Sequence, residues 1–244
     1  MSWQGYVRSL SAGYKETICF GPEGHQALYE DFAARYVPVV NIPGVKDCWW
    51  VEGAKEEMLR LDKIVRAYEG AHRTPHGLVP IDFQSFIRFG DSSKAEARYD
   101  VLFHIRGPAG KRKNHAWNLR MADQLGKTIL DQGYKGAVIG TKEDAEVIAG
   151  FDDLRGIELK KLMDTIAASR VVVGPSSGPM HLASLCGTPH VVWTDRQYYC
   201  AAKCTNRTRY ETMWNPLRTQ VEVIDEFGWN PPVDEVMKRI KKFL

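Results

Sequence analysis

The sequence predicts an α/β protein with parallel sheets, and two observations carry this prediction. Residues 169–195 contain an apolar run, a tight turn of small residues, a helix-compatible segment and a second apolar run. This order is typical of a strand, a turn, a helix and a strand in one unit. Strands also alternate with amphipathic helices throughout residues 99–244. Because crossover helices cover both faces of such a sheet, its strands are predicted to run parallel.

The carboxyl-terminal half has the clearest pattern. Its predicted elements are, in order, strand 100–105, a helix from Leu119 that ends at Gly133, strand 134–140, a short helix from Lys142, a loop through residues 152–153, helix 159–166, strand 171–173, a helix that ends near Gly187, strand 190–193 and helix 233–244. In helix 159–166 the apolar residues recur at positions i, i+3, i+4 and i+7, which places them on one face.

The amino-terminal half is less regular. Residues 16–20 and 37–42 are predicted strands, with a helix over 23–35 between them and a strong helix over 53–68. Residues 69–98 contain Gly, Pro, His and Ser without periodicity, which is typical of a linker or a substrate-facing loop. We therefore expect a boundary near residue 97, with one domain over residues 1–97 and a second over 98–244.

The composition is that of a globular protein with enough chain for a core. The 244 residues are 44% hydrophobic and 26% charged, and the net charge of +3 is too small to require a nucleic-acid partner. No stretch approaches the roughly 18 consecutive apolar residues of a membrane-spanning helix. The first residues lack the apolar region of a secretory signal, so we expect a cytoplasmic location.

Metal-ligating residues do not cluster in the sequence. The five cysteines are scattered, and Cys200 and Cys204 have no further closely spaced ligand. We interpret the cysteines as thiols and expect neither a metal nor another cofactor. The glycosylation sequon at residues 206–208 is interpreted as chance, since no secretory signal accompanies it.

The turn inside residues 169–195 is a candidate anion site. Residues 174–175 end the apolar run, and Ser176, Ser177 and Gly178 follow at the start of the predicted helix. The free N–H groups and the dipole at a helix amino terminus favour an anion, and His181 on the first turn adds a donor. The alternative is an ordinary strand-to-helix turn, in which Gly and Ser serve the backbone conformation alone. The residues by themselves leave both interpretations open.

A resemblance to a known family favours the first interpretation. Residues 174–183, Gly-Pro-Ser-Ser-Gly-Pro-Met-His-Leu-Ala, with Gly-Thr-Pro at 187–189, resemble the nucleotide-sugar signature of the heptosyltransferase-like glycosyltransferases, glycosyltransferase family 9. Residues 154–156, Leu-Arg-Gly, and the helix after them resemble the segment before that signature. Residues 107–117 resemble the basic loop that opens the second domain of the family. The resemblance covers about residues 99–244.

The resemblance implies a GT-B-like arrangement of two Rossmann-like domains, with the ligand cleft at the carboxyl ends of their strands. It also implies a metal-independent, inverting glycosyltransferase that moves a sugar from a nucleotide-diphosphate donor to a hydroxyl of a glycan or lipid-linked acceptor. The carboxyl-terminal domain would bind the donor and the amino-terminal domain the acceptor. The family's first strand and its acidic turn have no counterpart here. We expect an abbreviated amino-terminal domain; the alternatives are that the true start lies upstream, or that the base comes from elsewhere.

The departing diphosphate needs hydrogen-bond donors and positive charge. We expect Ser176, Ser177, Gly178 and His181 to supply the donors. Lys113 and Arg106 are the candidates for the charge, although the Lys-Arg-Lys run at 111–113 also suits a solvated loop. Members of the family often have an acidic residue at the position of Ser176, so the donor geometry is expected to differ in this chain.

The nucleotide and the catalytic base are assigned from their positions after strands. Thr141 and Glu143 are candidates for binding the nucleotide, although they would also suit the start of a helix. Glu23 and His25 follow a strand of the amino-terminal half and are the candidates for the base, although Glu23 would also suit a helix start. Asp195 lies past a strand end and either faces the cleft or caps a turn.

Three other interpretations stay open. In the first, the acceptor is a modified base of phage DNA, contacted by residues 111–113, Arg207, Arg209 and some of the seven tryptophans. In the second, the chain binds a nucleotide sugar without catalysis. In the third, it is a nucleotide-sugar epimerase on the same fold. A second copy that completes the abbreviated sheet would make the protein a homo-oligomer.

Overall fold

The structure, a computed structural model, divides into two compact units, Met1–Ser85 and Phe86–Leu244. It describes residues 8, 11–21, 23–38, 87–107, 115–197, 205–212 and 214–244. Each unit has a parallel sheet in its described part, so the predicted α/β fold with parallel sheets is confirmed. The predicted helix over 53–68 lies outside the described residues.

The second unit contains a six-stranded sheet in which every neighbouring pair is parallel. Its strands are β3 (Val101–Phe103), β4 (Gly136–Val138), β5 (Asp152–Asp153), β6 (Val171–Pro175), β7 (His190–Trp193) and β8 (Val221–Ile224). The spatial order is β5-β4-β3-β6-β7-β8. The chain therefore moves outward from β3 in one direction and resumes on the other side at β6. This reversal is the point at which open parallel sheets bind ligands, outside the carboxyl ends of their strands.

Five described helices connect or follow these strands. They are α1 (Leu119–Asp131), α2 (Leu159–Ala167), α3 (Gly178–Cys186), α4 (Asn206–Thr212) and α5 (Val233–Ile240). The start of α1 is fixed by Asn118, whose side chain accepts a hydrogen bond from the N–H of Arg120. Helix α3 ends at Gly187, which adopts the left-handed conformation that glycine tolerates best. Among the described residues, no helix is long and apolar enough to cross a membrane.

The core lies on both faces of this sheet because its central strands are apolar throughout. All five residues of β6 are buried. The indole rings of Trp117 and Trp193 pack with centroids 4.8 Å apart, and the rings of Phe103 and Phe151 with centroids 5.4 Å apart. Both of these tryptophans are almost fully buried, so they belong to the core.

Three local predictions differ from the structure. The segment from Lys142 forms a turn and no helix, because Ala145 pairs with Arg106 in an antiparallel bridge. Residues 152–153, predicted as loop, form edge strand β5. Strand β8 and helix α4 are present in addition to the predicted elements.

The described part of the first unit contains two short strands. Strand β1 (Ile18–Gly21) pairs in parallel with β2 (Arg35–Pro38). A single 3-10 turn, Gln26–Leu28, lies between them, so the predicted helix over 23–35 is wrong. Gly24, with φ of +81°, interrupts helical geometry near the start of this segment.

The segment before β3 packs on helices of the second unit. Phe89 N–H donates to Leu185 O at 2.9 Å, and Asp91 N–H donates to the Asp164 carboxylate at 2.7 Å. These hydrogen bonds attach residues 89–91 to α2 and α3.

Candidate anion-binding site

The candidate site lies where β3 and β6 end side by side. Arg106 follows β3, and Ser176 and Ser177 follow β6, which pairs with β3 in parallel. Because the carboxyl ends of parallel strands share one edge of the sheet, these side chains belong to one region. The reversal of the strand order falls between these two strands.

Ser177 lies at the position directly before α3, but its side chain does not cap the helix. Its backbone is extended, with φ of −161° and ψ of 171°, and its side chain makes no capping hydrogen bond. The residue is 4% exposed, and its Oγ is buried with no hydrogen-bond partner among the described residues. A buried hydroxyl without a partner costs about 1–3 kcal/mol, and a ligand that hydrogen-bonds to it would offset this cost.

The first turn of α3 is suited to an anion. Its first residues are Gly178, Pro179 and Met180, and Pro179 has no N–H. The N–H groups of Gly178 and Met180 belong to the helix start, where no intrahelical acceptor exists. Their partial positive charge and the Ser177 hydroxyl point to a negatively charged ligand.

Ser176 joins the turn to the rest of the sheet. Its N–H donates to Trp193 O at 2.9 Å, which continues the pairing of β6 with β7. Its Oγ accepts a long hydrogen bond of 3.4 Å from the Tyr210 hydroxyl. The Ser176 side chain is therefore hydrogen-bonded to Tyr210, whereas the Ser177 hydroxyl has no partner among the described residues.

His181 lies one turn into α3 within a group of aromatic rings. It stacks on Tyr210, with centroids 5.3 Å apart and planes 11° apart, and meets Trp214 edge-on. Its Nδ1 is buried without a hydrogen-bond partner among the described residues. Burial, with smaller contributions from nearby charges such as Arg209, lowers the pKa of His181 to about 3. The imidazole is thus neutral at pH 7.

Arg106 provides the positive charge of this region. Its Nη1 lies 3.3 Å from Nδ1 of His115, and its Nε lies 3.5 Å from the Asp144 carboxylate. The His115 ring stacks on Trp229 with centroids 3.7 Å apart. The guanidinium is near enough to contribute to the lowered pKa values of His104 and His181.

His104 is a residue of this region that sequence reasoning did not assign. It follows β3 directly, is buried, and places Nδ1 3.2 Å from Ile139 O, whereas Nε2 has no partner among the described residues. Burial, followed by the Arg106 charge, lowers the pKa of His104 to about 4. A polar residue at the carboxyl end of an otherwise apolar strand was the available signal.

Thr141 and Glu143 lie in the turn after β4, in which Ala145 pairs with Arg106. Thr141 Oγ1 accepts from Asp144 N–H at 3.2 Å, and Gly107 N–H donates to Asp144 O at 3.0 Å. Thr141 and Glu143 are both exposed. Their side chains are thus accessible at the same edge of the sheet.

The other assigned residues fall elsewhere. Glu23 and His25 are exposed in the first unit, on the segment after β1. Asp195 caps a turn, since its carboxylate accepts from Gln197 N–H at 2.8 Å. Lys113, the rest of 111–113, and Cys200 and Cys204 lie outside the described residues.

The residues proposed for a DNA acceptor are engaged within the second unit. Arg207 forms a two-point pair with Asp225, with Nη2 to Oδ1 at 2.6 Å and Nε to Oδ2 at 3.0 Å. Arg209 lies over the Trp214 ring at 4.7 Å. Within the described ranges no group of three or more His, Cys, Asp or Glu side chains could hold a metal ion.

The asparagine of the sequon Asn206-Arg207-Thr208 is not accessible to solvent in the folded chain. Asn206 is buried on α4, and its Nδ2 donates to Thr194 Oγ1 at 2.7 Å.

Comparison with solved structures identifies the class of fold. ADP-heptose LPS heptosyltransferase II of E. coli matches 98% of this chain and 93% of its own, with a TM-score of 0.58 and 16% identity. The E. coli heptosyltransferase WaaC with ADP matches 100% of this chain and 95% of its own, with a TM-score of 0.60 and 11% identity. No protein-family model and no curated protein sequence matches this chain. The chain therefore shares the two-unit α/β fold of these heptosyltransferases, and at such low identity the likeness is one of fold.

Proposed function

We propose that this protein is a metal-independent glycosyltransferase that binds the diphosphate of a nucleotide-sugar donor at the start of α3. One observation carries the proposal: Ser177 keeps a buried hydroxyl without a described partner at a helix amino terminus, at the switch point of a parallel sheet. The fold shared with two heptosyltransferases supports the same activity.

The chemistry requires a site that stabilises negative charge on the leaving group. As the bond between the sugar and the diphosphate breaks, its electron pair passes to the diphosphate oxygen. The Ser177 hydroxyl, the N–H groups of Gly178 and Met180, and the Arg106 guanidinium offer donors for that charge. Donors already held in place need little reorganisation during the reaction, which is the main source of such stabilisation. In this proposal Lys113 adds a second cation.

The acceptor hydroxyl attacks the anomeric carbon on the face opposite the leaving group, which inverts that centre. Its proton passes to a general base, for which Glu23 and His25 are the candidates. Thr141 and Glu143 would contact the nucleotide. We propose a hydroxyl of a glycan or a lipid-linked sugar as the acceptor, because Arg207 and Arg209, expected to contact DNA, are engaged with Asp225 and Trp214.

The proposal is tested with the full chain by thermal shift against UDP-, ADP-, GDP- and dTDP-sugars, followed by calorimetric titration. A ligand that binds only the folded state raises the unfolding midpoint by mass action. We expect one nucleotide class to produce a shift that Ser177→Ala reduces. Ser93→Ala, which removes a surface hydroxyl bonded to Asp91, serves as the control and should keep the full shift.

Two outcomes oppose the proposal in different ways. The absence of a shift with every donor would mean that the turn is structural only. Binding without release of the nucleoside diphosphate, in the presence of glycan acceptors, would identify a nucleotide-sugar-binding protein without catalysis.

A further inference from the structure

Tyr210 of α4 contacts the serine turn of the candidate site, although no sequence pattern assigned it there. The residue is 0% exposed. Its hydroxyl donates to Ser176 Oγ at 3.4 Å, and the main chain of Ser177 also forms a hydrogen bond with it. One phenol therefore contacts both serines of the turn.

The ring of Tyr210 also fixes the neighbouring histidine. It stacks on His181 with planes 11° apart, and Trp214 packs edge-on against both rings, at 5.2 Å from Tyr210 and 4.5 Å from His181. Such stacked and edge-on pairs restrict the orientation of each ring.

Helix α4 is anchored at both neighbouring strand ends, which holds Tyr210 in position. Asn206 donates to Thr194 at the end of β7 at 2.7 Å, and Arg207 pairs at 2.6 Å with Asp225 at the end of β8. Asp225 is 4% exposed, so the pair with Arg207 is partly protected from solvent. Because these two contacts hold α4 in place, the Tyr210 hydroxyl stays against the turn after β6.

The geometry points to Tyr210 as a positioning residue of the donor site, which keeps Ser177 from capping α3 so that its hydroxyl and the helix N–H groups stay available to the diphosphate. This inference rests on the proposed function. Tyr210 acts through Ser177, by way of its bonds to Ser176 Oγ and to the Ser177 main chain, and does not itself contact the donor.

The alternative state that Tyr210 prevents is one in which the Ser177 side chain caps α3. A serine before a helix ordinarily accepts from the N–H of the second or third helical residue. In α3 the second residue is Pro179, which has no N–H, so Met180 is the available cap donor. Self-capping would use up the Met180 N–H and hold Ser177 Oγ against the start of the helix, away from the position that suits a ligand. Burial raises the pKa of Tyr210, so the phenol stays protonated and keeps its hydrogen bond to Ser176.

The test uses Tyr210→Phe, which removes the hydroxyl and keeps the ring. Tyr99→Phe is the matched control, because Tyr99 is also buried and its hydroxyl donates to Asp152 at 2.9 Å. Affinity is measured by titration with the nucleotide sugar that shifts the wild-type protein. We expect about tenfold weaker binding in Tyr210→Phe, the loss that one hydrogen-bonding group typically causes. We expect unchanged binding in Tyr99→Phe.

A double-mutant cycle separates positioning from a merely structural role. If Tyr210 acts through Ser177, then Tyr210→Phe has no further effect on affinity in the Ser177→Ala background. Hydrogen exchange provides a readout without ligand, since the Met180 N–H should become more protected in Tyr210→Phe.

The outcomes distinguish this inference from the proposed function. A wild-type protein that binds no nucleotide sugar overturns both. Wild-type binding with equal affinity in Tyr210→Phe, or an equal loss in the Ser177→Ala background, overturns the positioning role alone.

Discussion

Ser177 and His181 are joined by a hydrogen bond at the start of α3, in which His181 N–H donates to Ser177 O at 3.2 Å. Each side chain carries a buried polar atom that has no partner among the described residues, Oγ in Ser177 and Nδ1 in His181. Positions four residues apart lie on the same side of a helix. Both residues therefore lie on the same side of the start of α3, where the first two predictions apply.

Ser177→Ala should affect stability and binding in opposite directions. The hydroxyl neither caps α3 nor has a described partner, so its removal should leave the free energy of unfolding unchanged or raise it by up to about 1 kcal/mol. Donor affinity should fall about tenfold, because the ligand loses a hydrogen bond. Urea unfolding and titration of the same samples check this. A clear loss of stability would show that the hydroxyl is a structural cap after all.

Gly178→Ala should leave the fold intact and weaken binding. A Cβ added at Gly178 meets no atom within 4 Å, so the helix accommodates it. The free energy of unfolding should rise by up to about 1 kcal/mol, because alanine favours the helix more than glycine does. A ligand against the first turn of α3 would meet the new methyl group, and its affinity should fall. Gly133→Ala gives the contrast: its Cβ also meets nothing, but φ of +81° makes it destabilising, and donor binding should not change. Full donor binding by Gly178→Ala would place the ligand elsewhere.

Acid should destabilise the protein through its buried histidines. Burial lowers the pKa of His104 to about 4 and that of His190 to about 4, from 6.5 for the unfolded chain. Between these values the unfolded chain binds more protons than the folded one, so the free energy of unfolding falls as the pH falls. Each histidine contributes at most about 1.4 kcal/mol per pH unit.

Urea unfolding between about pH 7 and pH 5 tests this, since carboxylates largely stay ionised over this range. His190→Gln should reduce the slope of stability against pH, whatever its effect on stability at neutral pH. A slope that is the same in both proteins would show that His190 also protonates in the folded state.

Local signals account for the part of the fold that could be predicted. The apolar run, the Gly-Pro step and the small turn predicted β6, α3 and β7, and all three are confirmed at Val171–Pro175, Gly178–Cys186 and His190–Trp193. These elements follow one another directly, so their signals are contained in a short stretch of chain. The helix predicted over 23–35 is wrong, since the segment forms a single 3-10 turn and Gly24 has a φ of +81° near its start.

The surroundings of the candidate site were not predictable in the same way. Tyr210 contacts Ser176 from 34 positions along the chain, and Arg207 reaches Asp225 from 18 positions away. No periodicity or spacing encodes such contacts, and Arg207 was instead considered as a DNA contact. The assignments of Glu23, His25, Thr141, Glu143 and Lys113 stay predictions.

The ion pair that anchors α4 leads to the last prediction, on Asp225→Asn. Arg207 holds the pKa of Asp225 below its usual value, and the carboxylate is 4% exposed. Loss of its charge removes the shortest ion pair of Arg207 and leaves the longer pairs with Glu226, at 3.5 Å, and Glu211, at 3.9 Å. Removing one partner of a fully buried pair costs about 3–5 kcal/mol, but the Arg207 side chain is 34% exposed, so we expect about 1–3 kcal/mol.

Asp153→Asn is the matched control for this substitution. Asp153 also binds an arginine at two points, Arg155, at 2.9 and 3.0 Å, but its side chain is 41% exposed. Exposed pairs contribute about 0–1 kcal/mol, so urea unfolding should show a clearly smaller loss than in Asp225→Asn.

Because α4 carries Tyr210, Asp225→Asn should also weaken donor binding, through increased freedom of the helix. Faster hydrogen exchange across α4 in Asp225→Asn, with unchanged exchange in α1, would confirm that the pair anchors this helix. Equal exchange in both helices would show that Asn206 and its bond to Thr194 suffice to hold α4.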